Sequence, residues 1–150
     1  MDTKEFFNKY DGNKIDFDGS FGAQCVDLYR QYCKEFLQIP QSPGVIGAYQ
    51  IWDNYLQQYF DKIYNTPLAI PILGDIIIWS KGLGEYGHVS IFYEGNILSF
   101  TSFDQNFPVG SACHFQKHNY KYILGWLRFK RLMVDKEKFK EEIIEFIRSL

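Results

Sequence analysis

The sequence predicts an α+β domain in which N-terminal helices pack on an antiparallel β-sheet. Two observations predict it. Apolar residues in the first third recur at helical spacing, and after residue 75 they run continuously or form strand-like stretches joined by short turns. A chain of 150 residues, 46% apolar, is long enough for one domain with its own core.

The elements follow in order. Residues 4–10 predict a short helix with Phe6, Phe7 and Tyr10 facing inward. Residues 11–22 predict a loop, because Gly12, Gly19 and Gly22 alternate with Asp and Asn. From Cys25 to Leu37, the apolar positions Cys25, Leu28, Tyr29, Tyr32, Cys33, Phe36 and Leu37 give a helix with one buried face. It stops before Pro40. A second helix is expected over Ile46 to Gln58. Ile76 to Trp79 predicts a fully buried strand. Val89–Tyr93 and Ile97–Phe103, joined at Glu94-Gly95-Asn96, predict a hairpin, and Tyr122–Phe129 a closing strand. Val134 to Leu150, with Asp135 as candidate cap, predicts an amphipathic helix carrying Phe139, Ile143, Phe146 and Ile147. The domain body is therefore expected over 1–131. Residues 132–150 are expected to form a helix that docks, pairs with another copy or leads to a further module.

Composition narrows the function. Net charge is −2, so no basic footprint points to nucleic acid. No apolar run approaches the roughly 18 residues of a membrane span, so no membrane partner is expected. Met1-Asp2-Thr3-Lys4-Glu5 has neither the basic start nor the apolar stretch of a signal peptide, which implies synthesis in a cytoplasm. Three cysteines cannot all pair, so at least one thiol is free. Aromatics reach 19%, enough for a dense core or for a groove that stacks on sugars or peptides.

Chemistry concentrates at three places. Asp16-Phe17-Asp18-Gly19-Ser20-Phe21-Gly22-Ala23-Gln24-Cys25-Val26-Asp27 runs an acidic loop into a cysteine at a helix start. Helix N-termini present unpaired N–H groups, and such a position favours a nucleophilic thiolate. His88 heads a strand-like run, and Asp104-Gln105-Asn106 follows a hairpin length later. If the turn centres on Gly95, His88 lies opposite Ser102, and one bulge would bring Asp104 or Asn106 against the imidazole. A thiol, a base and an orienting group in that order suggest a cysteine hydrolase. Gln24 could add an oxyanion donor beside the Cys25 N–H.

The plainer readings compete. A Cys in a helix is usually a small hydrophobe, as expected for Cys33 and Cys113. Cys113, His114 and His118 have a zinc-like spacing without a fourth ligand, and surface-loop residues are the expected reading. In the acidic loop, Asp16, Asp18, Ser20, the Gly22 carbonyl and Asp27 follow a Ca²⁺ pattern, although the helix begins too early for an EF-hand. The competing reading is a solvated turn. The calcium would brace the loop that positions Cys25.

The segment Asp-x-Asp-Gly-x-x-Gly-x-Gln-Cys-x-Asp at 16–27 resembles the nucleophile segment of the CHAP family, the cysteine, histidine-dependent amidohydrolases/peptidases. Pro71-x-x-Gly74-Asp75 through Trp79, Gly87-His88-Val89-Ser90-Ile91, Asp104-Gln105-Asn106 and Gly125-Trp126-Leu127-Arg128 resemble its later motifs, in order. The resemblance implies a papain-like fold and a catalytic domain over 1–131. It also implies hydrolysis of a peptidoglycan amide, by an amidase or an endopeptidase, as in phage lysins and autolysins that act on the cell wall. It implies Cys25, His88 and Asp104 or Asn106 as catalytic groups, and Ca²⁺ at the acidic loop. Asp104 stands where many relatives carry Glu. Two other functions fit parts of the sequence: a non-catalytic wall-binding module, and an amidase acting on a soluble peptide conjugate.

Overall fold

The computed structural model describes residues 1–150, with the side chains of 131–138 outside the described set. Helix α1 (Thr3–Tyr10) starts where the Asp2 carboxylate accepts the Glu5 N–H at 2.8 Å, and it buries Phe6 and Phe7. Helix α2 (Cys25–Gln31) continues as a π-helical segment, Tyr32–Leu37. It ends at Gln38, whose left-handed φ of 55° lets its N–H close on the Cys33 carbonyl. Leu28, Tyr29, Tyr32, Cys33 and Leu37 form the buried face the spacing predicts.

Six strands make one antiparallel sheet in the order β1-β6-β2-β3-β4-β5. They are β1 (Phe60–Tyr64), β2 (Ile76–Trp79), β3 (His88–Gly95), β4 (Phe100–Asp104), β5 (His114–His118) and β6 (Ile123–Phe129). All four residues of β2 are buried, as its unbroken apolar run requires. Ile76, Ile78, Val89, Ile91, Phe103 and Leu127 share a core with Phe6, Phe7, Leu28 and Tyr32 from the helices. Ile77, Trp79, Phe92, Phe100 and Trp126 form a second cluster. Full burial of an aliphatic or Phe side chain stabilises by roughly 1.5–3 kcal/mol, so these two clusters hold the sheet in place. The α+β architecture is therefore as expected.

Several boundaries differ. The helix expected over 46–58 is only a 3-10 turn, Ala48–Gln50, and one turn of helix α3 (Ile51–Asn54). Tyr55 turns extended, with ψ 159°, and the aromatics beyond it serve the sheet: Phe60 packs on Phe129 at 5.9 Å. Strands β1 and β5 lie where the sequence reading expects no strand. The hairpin turn is also later than predicted. Gly95 belongs to β3, where a Cβ would strike Phe100, and Asn96 makes the turn by accepting the Leu98 N–H at 2.8 Å. Phe92, not His88, therefore lies opposite Ser102, and the register shifts between Phe92 and Glu94.

Helix α4 (Lys130–Ser149) starts earlier than the expected Val134. The Asp135 cap falls outside the described residues. Residues 139–150 are all exposed, including Phe139, Phe146 and Leu150. Among the described residues, no helix is long and apolar enough to cross a membrane.

Candidate active site

Cys25 is the first residue of α2 and is only partly exposed. Two bonds fix the residue before it. The Gln24 N–H donates to Asp27 Oδ2 at 2.9 Å, and the Gln24 carbonyl accepts from Gln105 Nε2 at 2.7 Å. Gln105 is fully buried and also pairs with both backbone groups of Ile15, at 2.7 and 2.8 Å. The β4 end thus holds both ends of the acidic loop. Gln24 Nε2 makes a long 3.4 Å bond to the Phe21 carbonyl.

His88 opens β3 behind Gly87, whose φ of 65° and contacts with Trp79 and Tyr49 leave no room for a side chain. The imidazole is 3% exposed. Its Nε2–H donates to Asp104 Oδ2 at 2.6 Å, and Cys25 is near enough to raise its proton affinity. Nε2 is occupied by Asp104, so Nδ1 is the nitrogen left to face the sulfur. Burial alone would lower the His88 pKa, but Asp104 and Cys25 push it up to about 10.

Asp104 ends β4, fully buried. Its Oδ1 accepts from Ser102 Oγ at 2.5 Å, and its Oδ2 accepts from His118 Nε2 at 2.9 Å as well as from His88. Burial would raise its pKa, yet the bonds from His118 and His88 hold it below the usual carboxylate value. Asn106 does something else. Its φ is 62°, and its Oδ1 accepts the Gly110 N–H at 2.6 Å, which shapes the turn after β4. The structure therefore brings Cys25, His88 and Asp104 into one line, with Asn106 bonded away from the imidazole.

His118 is the residue the sequence reading misses. It and His114 lie in strand β5, not a surface loop; the His118 side chain is 6% exposed and Cys113 is fully buried. Nor do the three converge on a metal: the His114 ring bonds Ala112 O and Gln116 Oε1, while His118 bonds Asp104. Alternation in His114-Phe115-Gln116-Lys117-His118 is the one signal that could have revealed the strand.

In the acidic loop, carboxylate oxygens of Asp16, Asp18 and Asp27 lie within 4.8 Å of one another. Ser20 donates its N–H to Asp18 Oδ1 at 2.9 Å, and Gly22 has a φ of 75°. Asp27 is buried, and burial together with Asp18 and Asp16 raises its pKa. An all-oxygen, all-acidic donor set of this kind fits a hard divalent cation. Between this loop and His88 lies a groove of about 750 Å³, walled by Phe21, Cys25, Ile46, Tyr86, Phe107 and Val109.

The sequence profile of the CHAP domain family matches residues 14–106. The D-alanyl-L-alanine endopeptidase of Streptococcus phage B30 is 36% identical over 97 residues, 59% of this chain and 20% of its own length. Endolysin LysK of Staphylococcus phage K is 32% identical over 103 residues, 67% of this chain and 20% of its own. The crystal structure of the wild-type endolysin LysIME-EF1 superposes with a TM-score of 0.70 at 31% identity, covering 84% of this chain and 62% of that one. The chain spans about a fifth of the length of the two phage relatives.

Proposed function

The chain belongs to the CHAP domain family, and from that premise we propose that it hydrolyses an amide bond of bacterial peptidoglycan, acting on the cell wall. The observation that carries this reading is the line Cys25–His88–Asp104 at the side of an open groove. A wall-binding module has no use for a buried carboxylate aimed at an imidazole that faces a thiol.

The chemistry follows from the line. Asp104 on Nε2 favours the imidazolium, so the shared proton rests on His88 and the sulfur is free to attack. Cys25 Sγ adds to the amide carbonyl carbon. The oxyanion takes the Cys25 backbone N–H and the Gln24 side-chain amide, whose long bond to Phe21 is easily exchanged. His88 gives its proton to the leaving amine, and an acyl-enzyme remains. Water then gives a proton to His88 and adds to the acyl carbon. Cys25 leaves as the thiolate, and the acid is released.

Calcium, held by Asp16, Asp18, Asp27 and the Ser20–Gly22 turn, would supply charge neutralisation that braces the loop before Cys25. The catalytic unit spans 1–131, and the exposed apolar residues of α4 make 132–150 a linker, docking or self-association element. The name of the Streptococcus phage relative supports cleavage within the peptide part of the wall, as an endopeptidase.

The test is clearing of purified Gram-positive walls. Wild type should clear them and Cys25→Ala should not, with its thermal transition retained. Clearing by the variant would remove Cys25 as nucleophile. Mass spectra of the products separate an endopeptidase, which frees amines of peptide residues, from an amidase, which frees the stem's first amine.

A further inference from the structure

Asp104 makes a second imidazole contact that the proposed chemistry does not use. Its Oδ2 accepts from His118 at 2.9 Å as well as from His88 at 2.6 Å. An ionised carboxylate only accepts, so both imidazoles present Nε2–H to the same oxygen. They arrive from opposite sides: β3 and β5 flank β4 in the sheet. Ser102, from β4 itself, donates to the other oxygen at 2.5 Å.

The His118 ring is packed as firmly as it is bonded. It lies 4.7 Å from Trp79, 5.3 Å from Phe100 and 5.3 Å from Phe107, centre to centre. Trp79 and Phe107 also touch His88, at 5.0 and 4.9 Å. Both imidazoles thus share an aromatic surround and one acceptor atom. A carboxylate tied to His88 alone can turn about its last torsion, which is broad, and offer its oxygen at a poorer angle. Donors from three strands remove that freedom.

We propose that His118 is a positioning residue that holds Asp104 Oδ2 at the distance and angle from which Asp104 orients His88 toward Cys25. This rests on the reading of Cys25 as nucleophile, and not on which bond is cut.

Two substitutions in the full chain separate positioning from packing. His118→Phe keeps a ring among Trp79, Phe100 and Phe107 but cannot donate to Asp104. His118→Gln loses the ring and keeps an amide N–H near the place of Nε2. Three readouts apply: the rate of Cys25 alkylation by iodoacetamide at fixed pH, the downfield proton resonance of the His88 N–H, and kcat against KM on walls. For His118→Phe, the expected result is alkylation and kcat both down roughly 10-fold, KM held, and the His88 resonance displaced. His118→Gln should stay within about threefold of wild type on each, with the resonance restored.

The reverse order, with His118→Phe wild-type-like and His118→Gln impaired in proportion to its lost thermal stability, would make His118 a packing residue and overturn the proposal. So would an unmoved resonance and rate in both variants. The alkylation and resonance readouts need no wall. If wild type fails to clear walls while His118→Phe still slows alkylation, the peptidoglycan reading falls and the positioning role stands.

Discussion

Two three-residue clusters flank Cys25, and both gather ligand atoms within 4.8 Å: His88–Asp104–His118 and Asp16–Asp18–Asp27. The first alternates donor, acceptor and donor. The second contains acceptors alone. Their carboxylates respond in opposite directions. Asp104 is fully buried yet held below the usual range by His118 and His88. Asp27, itself buried, is raised, because Asp18 and Asp16 add to the effect of burial. Neighbours, more than depth, decide whether a carboxylate stays ionised. The first cluster pairs its carboxylate with donors from within the chain, and the second is the calcium site we propose.

The sharpest way to break this contrast is to remove the central charge of the first cluster. Asp104→Asn keeps the shape but lets an amide N–H face an imidazole N–H. His88 then loses its fixed tautomer, and the rate of wall clearing should fall on the order of 10³-fold. A wild-type rate would mean that His88 is oriented by something else, Asn106 being the remaining candidate of the original pair.

The acidic cluster, on the proposed reading, should respond to calcium. Calcium at about 100 times its dissociation constant should stabilise the protein by about 2.7 kcal/mol, read as a higher thermal midpoint that chelator reverses. The double substitution Asp16→Asn, Asp18→Asn should abolish that response and leave the chelated midpoint equal to or above wild type, since repulsion with Asp27 is relieved. A calcium response that survives the double variant would place the ion elsewhere. Asp104→Asn should keep the full response, because the two clusters use different groups.

The two clusters also differ in how legible they were. The acidic loop is local, four of its five candidate ligands standing within Asp16–Gly22 and Asp27 five residues on, so spacing alone brought Asp16, Asp18 and Asp27 together. The line through Asp104 depends on strand register. Sequence arithmetic centred the hairpin on Gly95, whereas Asn96 makes the turn and Tyr93 lies at the register shift, so Phe92 faces Ser102. A pairing that placed His88 opposite Ser102 still reached Asp104, because an error of four residues, being even, preserves the face of a strand. His118 had no such protection. Its strand is polar, its partner is far along the chain, and nothing local distinguishes a histidine bonded to a buried carboxylate from one in a loop. The helix expected over 46–58 failed for a related reason. Its helical spacing is cut short at Tyr55, where the backbone turns extended to lead into edge strand β1 at Phe60, a pairing that only the tertiary fold reveals.

The smallest expected effect is in the pH dependence of stability without calcium, where the clusters should act with opposite sign. His88 is raised to about 10, so the folded chain holds its proton more tightly than the unfolded chain. Its contribution is complete below the unfolded value of about 6.5 and is lost as pH rises toward 10, at no more than about 1.4 kcal/mol per pH unit. Asp104 is lowered, so its contribution is present above the ordinary carboxylate range and is lost as pH falls through its folded value. Asp27 is raised, so acidification through its folded value stabilises the fold instead. Buried Cys33 and Cys113, both raised to about 12, add a falling slope only once unfolded thiols begin to ionise. Urea midpoints are therefore best compared between about pH 7 and 8, below the ordinary thiol range. Wild type should lose stability across that window, and Asp104→Asn should flatten the loss because the carboxylate that raises His88 is gone. Asp27→Asn should leave that slope unchanged and alter only the acid side. Equal slopes in wild type and Asp104→Asn would show that His88 draws its proton affinity from Cys25 rather than from the carboxylate behind it.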